Sequence, residues 1–169
     1  MEERVEDLPD VKIYTDGACR GNPGPGGYGV ILVYGEKRKE LSGGFRLTTN
    51  NRMEMMAVIS GLGALKRKCS VTVYSDSRLV VDSMSKGWAR RWRMNGWKRN
   101  KDEPALNADL WETLLELCER HVVGFVWVAG HSGHTENERC DVISKSAAYG
   151  KNLLPDENYE DKCANTAAR

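Results

Sequence analysis

The stretch VKIYTDG, from Val11 to Gly17, and its later counterpart VTVYSDS, from Val71 to Ser77, each run as β-branched and aromatic residues into an aspartate. Such runs favour strands. Between them, a glycine- and proline-rich segment from Gly21 to Gly27 reads as a turn. Tyr28 to Tyr34 reads as a second strand and Glu40 to Leu47 as a third, with Gly35-Glu36 as a hairpin turn. Three strands so close in sequence imply an antiparallel meander. Thr48 to Asn51 supplies helix-start residues, and Val58, Leu62 and Leu65 recur at the spacing of one buried helical face. Beyond Ser77 we expect a short helix, then a basic, tryptophan-bearing stretch, then a helix through Trp111, Leu114, Leu115 and Cys118. Val122 to Val128 is β-rich, His131 to His134 is a loop, and a last helix spans Thr135 to Tyr149. Thr135 with Glu138 three residues on suggests a capping box there. The order is β-β-β-α-β-α-α-β-α. The late strands alternate with helices, so they should run parallel to each other and to one early strand. The predicted fold class is α/β, a mixed sheet with helices on both faces.

A chain of 169 residues suits one compact domain. We expect an N-terminal extension over residues 1–10, the domain over 11–150, and a mobile tail over 151–169, where large apolar side chains are few. No apolar run approaches the roughly 20 residues of a membrane helix, so no membrane partner is expected. The acidic start does not resemble a secretion signal, which points to the cytoplasm. The five cysteines are odd in number and widely spaced, so free thiols are expected rather than a disulfide framework or a thiolate zinc site. The net charge of +1 hides an asymmetry. Residues 86–101 hold seven Lys/Arg and no Asp or Glu, leaving 18 basic residues to face 24 acidic ones elsewhere. That concentration is an electrostatic footprint for a polyanion.

Four carboxylates each have an ordinary reading on their own. Asp16 precedes a glycine in a common turn pair. Glu54 lies three residues after Asn51, where it could close a capping box. Asp76 lies between serines ahead of a helix, as an N-cap would. Asp141 suits the positive end of a helix dipole. Together they mean more. Asp16 and Asp76 end strands that should be parallel neighbours, and such sheet edges hold sites. Glu54 and Asp141 open helices that should abut the same edge. Acids gathered there would repel one another unless cations neutralised them, and hard oxygen ligands suit Mg²⁺ or Mn²⁺.

Four blocks of this chain closely resemble ribonuclease H, type 1, of the bacterial kind. They are YTDGACRGNPGPGGYG (Tyr14–Gly29), TTNNRMEMMA (Thr48–Ala57), YSDS (Tyr74–Ser77) and GHSGHTENERCD (Gly130–Asp141). The resemblance runs from about Val11 to Gly150. It implies a ribonuclease H-like fold with a five-stranded mixed sheet. It also implies an endonuclease that hydrolyses the RNA strand of RNA–DNA hybrids, leaving 5′-phosphate and 3′-hydroxyl ends. Two Mg²⁺ ions, with Mn²⁺ as a possible substitute, would be held by Asp16, Glu54, Asp76 and Asp141. His131 matches a mobile histidine that aids proton transfer or product release. Cys19 and Asn22 match the region that contacts the RNA strand, where the 2′-hydroxyl separates RNA from DNA. Asn50 and Asn51 match contacts to hybrid bases and sugars, and Thr49 and Asn107 match a pocket for a DNA-strand phosphate. A zinc reading of His131, His134 and Cys140 is weaker, since adjacent Cys140 and Asp141 cannot easily face one metal.

The basic stretch resembles the family's handle-like protrusion. Trp92 and Trp97 read as packing residues, and Trp88 as a surface for the DNA strand's sugars. Arg91, Arg93 and Lys98, with Arg90, Arg99 and Lys101, would supply sequence-independent phosphate binding. Two departures stand out. Arg78 occupies a substrate-contacting position where the pattern has glutamine, and the spacing from Asp76 to Trp88 is one residue longer. Two other readings stand beside this one: a hybrid-binding module without catalysis, which predicts a missing acid, and a nuclease of the same fold acting on DNA. A monomer is expected.

Overall fold

The computed structural model describes residues 4–169. Part of the expected N-terminal extension, residues 1–3, lies outside the described residues. The rest of it makes one 3-10 turn at Val5–Asp7 and tucks Leu8 into the core.

Five strands form one sheet: β1 (Asp10–Cys19), β2 (Gly24–Tyr34), β3 (Lys37–Thr48), β4 (Ser70–Ser75) and β5 (Val122–Trp127). Their spatial order is β3-β2-β1-β4-β5. The first three strands pair antiparallel, while β1, β4 and β5 run parallel, as the alternation with helices implies. The register sets Tyr14 opposite Tyr74, so the aspartates two residues further on leave the same edge. The meander is longer than its apolar runs suggest. Strand β2 begins at Gly24, inside the segment read as a turn, because glycine here accommodates neighbours rather than a reversal. A Cβ on Gly29 would come within 2.6 Å of the Cys140 carbonyl oxygen.

Helix α1 (Asn50–Gly63) packs against one face and α5 (Thr135–Ala148) against the other. A side chain at Gly17 would collide with the backbone of Met53 and Glu54, so the glycine of the Asp-Gly pair lets α1 close onto β1 beside Asp16. Helices α2 (Arg78–Ser85), α3 (Trp88–Met94) and α4 (Ala108–Glu119) connect β4 to β5. The core lies between α1, α4 and the sheet, with Ile13, Val30, Val58, Leu62, Trp111 and Leu114 all buried. Trp92 meets Trp111 edge to face at 5.8 Å, and Trp97 packs on the same core, so both hold the protrusion rigid as expected. The basic stretch contains its own helix, α3, which the sequence order did not anticipate.

The expectation of a mobile tail over 151–169 does not match the fold. The segment ends in a helix, α6 (Glu157–Ala167), and is tied down before it starts. Asp156 is buried and accepts bonds from Thr48 Oγ1 at 2.7 Å and from Arg52 Nε at 2.7 Å. Tail composition lacks the apolar residues of a docking helix, and a buried ion pair with α1 takes their place. Arg52 itself is only 2% exposed. Its five N–H groups reach Asp156, Asp109 and Asn107, so the full guanidinium fork is satisfied.

Candidate active site

Asp16 lies within β1 rather than at its end, but the pairing of β1 with β4 stops at Tyr14 and Tyr74, and the acids gather just beyond that point, where local caps leave them free. Thr49, not Asn51, caps α1, accepting from the Arg52 amide at 3.2 Å. Ser77, not Asp76, caps α2, accepting from the Val80 amide at 3.3 Å. Glu54 and Asp76 are therefore free of the helix-end roles their positions suggested. Helix α5 is entered at His134 without a side-chain cap, so the expected capping box from Thr135 does not form.

Asp16, Glu54 and Asp76 each offer one oxygen within 4.8 Å of the others. Glu54 Oε2 is fully buried with no hydrogen-bond partner, and so is Asn137 Oδ1, which lines a small hollow together with Asp16 and Asp76. A buried carboxylate oxygen left orphaned is costly unless something positive meets it. Burial pushes the Asp16 carboxyl up to about 7, and Asp76 and Asp141 push the same way. Glu54 lies well above the ordinary carboxylate range, through burial first and then the charges of Asp16 and Asp76. Asp76 is raised by burial and by Asp141, with His131 opposing. The donor set fits a divalent cation with oxygen preference: hard ligands, one geometric focus and charge that only a cation neutralises.

Asp141 faces the same hollow but stands at its edge, with Oδ2 accepting from Lys145 Nζ at 2.7 Å. His131 also lines it, on an exposed loop and with a left-handed backbone at φ 55°. The central space is only about 20 Å³, room for about one water-sized ligand. A larger hollow, about 460 Å³, is apolar and lies at the other end of the sheet among Pro9, Leu32, Leu65 and Cys69. It contains none of the acids. Volume is a poor guide here, because a polynucleotide lies across a surface rather than inside a cavity.

The residues expected to contact substrate form one patch beside the acids and a second on the protrusion. Cys19 Sγ lies 3.5 Å from the carbonyls of Gly24 and Thr48. Asn22 Oδ1 accepts from the Asn50 amide at 3.0 Å, joining the glycine turn to the start of α1. Asn51 is exposed in the first turn of α1. Asn107 caps α4 with a left-handed backbone and accepts from Arg52, so the guanidinium joins the turn bearing Thr49 to Asn107. Sequence reasoning assigned no role to Arg52, although it sits inside a quoted block; nothing local marks an arginine as buried. It also missed Asn137, for the same reason. On the protrusion, Arg91 and Lys98 are exposed, and Trp88 is half-buried under Lys86, whose Nζ is 5.2 Å from the ring. Arg93 is not free with them. Glu119 takes it at 2.6 Å, because α4 runs alongside α3. Arg78 is exposed and lies over the Trp127 ring at 3.6 Å.

A mixed sheet with acids converging where two parallel neighbours part defines a class of metal-assisted hydrolase site. Comparison with known proteins narrows this to a family. The RNase H family model matches residues 9–149. A ribonuclease H from Syntrophus aciditrophicus is 68% identical over 149 residues, spanning 88% of this chain and 86% of the relative. The ribonuclease HI of Synechocystis is 54% identical over 88% of this chain and 94% of the relative. Among solved structures, LC9-RNase H1, described as a type 1 RNase H with the type 2 active-site motif, superposes with a TM-score of 0.76. It is 34% identical, covering 95% of this chain and 84% of that one. LC11-RNase H1, solved in complex with RNA/DNA hybrid, gives a TM-score of 0.64 at 28% identity, over 82% of this chain and 96% of that one. The chain belongs to the ribonuclease H family, in its type 1, bacterial-type form. Among the described residues no helix is long and apolar enough to cross a membrane.

Proposed function

We propose that this enzyme cuts the RNA strand of RNA–DNA hybrids by two-metal hydrolysis, leaving 5′-phosphate and 3′-hydroxyl ends. The observation that carries the proposal is the triad of oxygens from Asp16, Glu54 and Asp76, with one buried oxygen unpartnered. Two Mg²⁺ ions, or Mn²⁺ in their place, would supply a deprotonated water and neutralise charge on the departing 3′ oxygen. Asp16, Glu54, Asp76 and Asp141 would together hold the ions. Asp141 could join through Oδ1, since Lys145 takes only its Oδ2. His131 lines the hollow from an exposed loop, where its imidazole would pass a proton to the departing product. Cys19, Asn22, Asn50 and Asn51 would hold the hybrid by sugar and base contacts, and Thr49 and Asn107 a DNA-strand phosphate. Arg78, Trp88, Arg91 and Lys98 would add contacts along the strands, and Arg93 would add only what Glu119 leaves of its charge.

The test is a hybrid labelled separately on each strand, incubated with Mg²⁺ or with EDTA. Cutting of the RNA strand alone, only with metal, supports the proposal. Binding without cutting, with Mn²⁺ also tried, would leave a hybrid-binding module. Cutting of the DNA strand would mean the substrate is misassigned. Asp16→Asn should abolish cleavage and retain hybrid binding.

A further inference from the structure

Four arginines outside the protrusion spend their guanidinium groups on carboxylates. Arg38, Arg46, Arg52 and Arg139 all do so. Two that follow the acid-bearing strands β1 and β4 do not. Among the described residues, neither Arg20 nor Arg78 pairs with a carboxylate. Each lies flat on an aromatic ring instead: Arg20 Cζ 3.8 Å from the centre of Tyr149, and Arg78 Cζ 3.6 Å from the centre of Trp127. A guanidinium held by its face keeps its edge, and its N–H donors, available.

The fold places the two on opposite sides of Asp16. Arg78 stacks on the end of β5, at one edge of the sheet, and opens α2 two residues after Asp76. Arg20 follows the end of β1, where its amide is fixed by the Pro25 carbonyl at 2.7 Å, and Tyr149 closes α5 on the β2 side. Four residues of strand separate Arg20 from Asp16, roughly 13 Å, or the rise of about four nucleotides. Trp127 has a second task, since its Nε1–H donates to the Asp76 carbonyl at 3.1 Å. The ring that carries Arg78 is thereby anchored to the acid site itself.

We propose that Arg20 and Arg78 are a pair of ring-held phosphate contacts flanking the acid cleft, engaging the strand being cut on either side of the reacting phosphate. The proposal rests on the hybrid-nuclease reading above and adds Arg20 and Tyr149 to the interface. Holding a long side chain in its bound orientation removes part of the ordering cost of association. The ring should therefore contribute affinity without contributing charge.

The experiment measures anisotropy of a labelled RNA–DNA hybrid in EDTA, in an Asp16→Asn background that cannot cut, over a range of KCl. Arg20→Gln and Arg78→Gln should each weaken binding about three- to tenfold and lower the slope of log affinity against log salt by about one. Arg20→Lys should restore the slope but not the full affinity. Tyr149→Leu should weaken binding about two- to threefold at unchanged slope. A background protein that binds while Arg20→Gln matches it in affinity and slope overturns the pair as proposed. A background protein that does not bind hybrid at all overturns the hybrid-nuclease reading, and the inference with it.

Discussion

Replacing Asp16 with asparagine should make the metal-free protein more stable while destroying its activity. The Asp16 carboxyl titrates near 7 in the folded chain against an ordinary value of 3.8, with burial as the main cause. Its folded-state pKa is raised, so ionisation opposes folding. The penalty is absent below about pH 4, where the group is protonated in both states. It grows as pH rises towards 7 and is complete above that. At 1.36 kcal/mol per pH unit, the ionised group costs about 4 kcal/mol relative to an uncharged isostere. Coupling to Glu54 and relaxation of the edge acids reduce this, so about 2–4 kcal/mol is expected. For a domain of this size that corresponds to a Tm higher by roughly 5–10 °C. The assay is thermal unfolding of both proteins in EDTA at pH 8 and at pH 4. The gain should appear at pH 8 and vanish at pH 4. Mg²⁺ at pH 8 should raise the Tm of the parent far more than that of the variant, since it neutralises the same repulsion. An equal Tm at pH 8, or the same gain at both pH values, would refute the idea that these acids are held charged against one another.

Removing the last turns should also be costly. A chain truncated after Leu154 leaves Arg52 buried without two of its five bonds, and Asp156→Asn leaves it facing an uncharged partner; about 3–5 kcal/mol should be lost in urea unfolding; a truncated chain as stable as the full one would show that α6 is an appendage. The same hub should make the protein acid-labile. Burial opposes ionisation of Asp109, but its bonds to Arg52 outweigh that and hold its carboxyl below 3.8. This folded-state pKa is lowered, so its stabilisation is present above that range and lost as pH falls through it. Asp109→Asn should flatten that part of the acid limb in pH-dependent unfolding. On the protrusion, replacing Arg91 and Lys98 together with alanine should lower the salt slope of hybrid binding by about two, whereas Arg93→Ala should lower it by much less, because Glu119 already neutralises it.

The sequence by itself determined the order and direction of the strands and the two faces of helices, and it singled out the four acids proposed for the site. Those are carried by local periodicity and by long quoted blocks, and each is a property of neighbouring residues. The packing of Trp92 and Trp97 was legible for the same reason. Only the tertiary structure decided what depends on contacts across the chain. Asp156 reads as a tail residue until Thr48 and Arg52 are beside it, more than a hundred positions away in sequence. Arg93 reads as a free cation until α4 brings Glu119. Arg20 has no role in the sequence until α5 ends on it. The local code says which residues are apolar, capping or acidic. It does not say which charges will be paired, because a pair is a distance, and distances between remote residues are set when the sheet and helices close on one another.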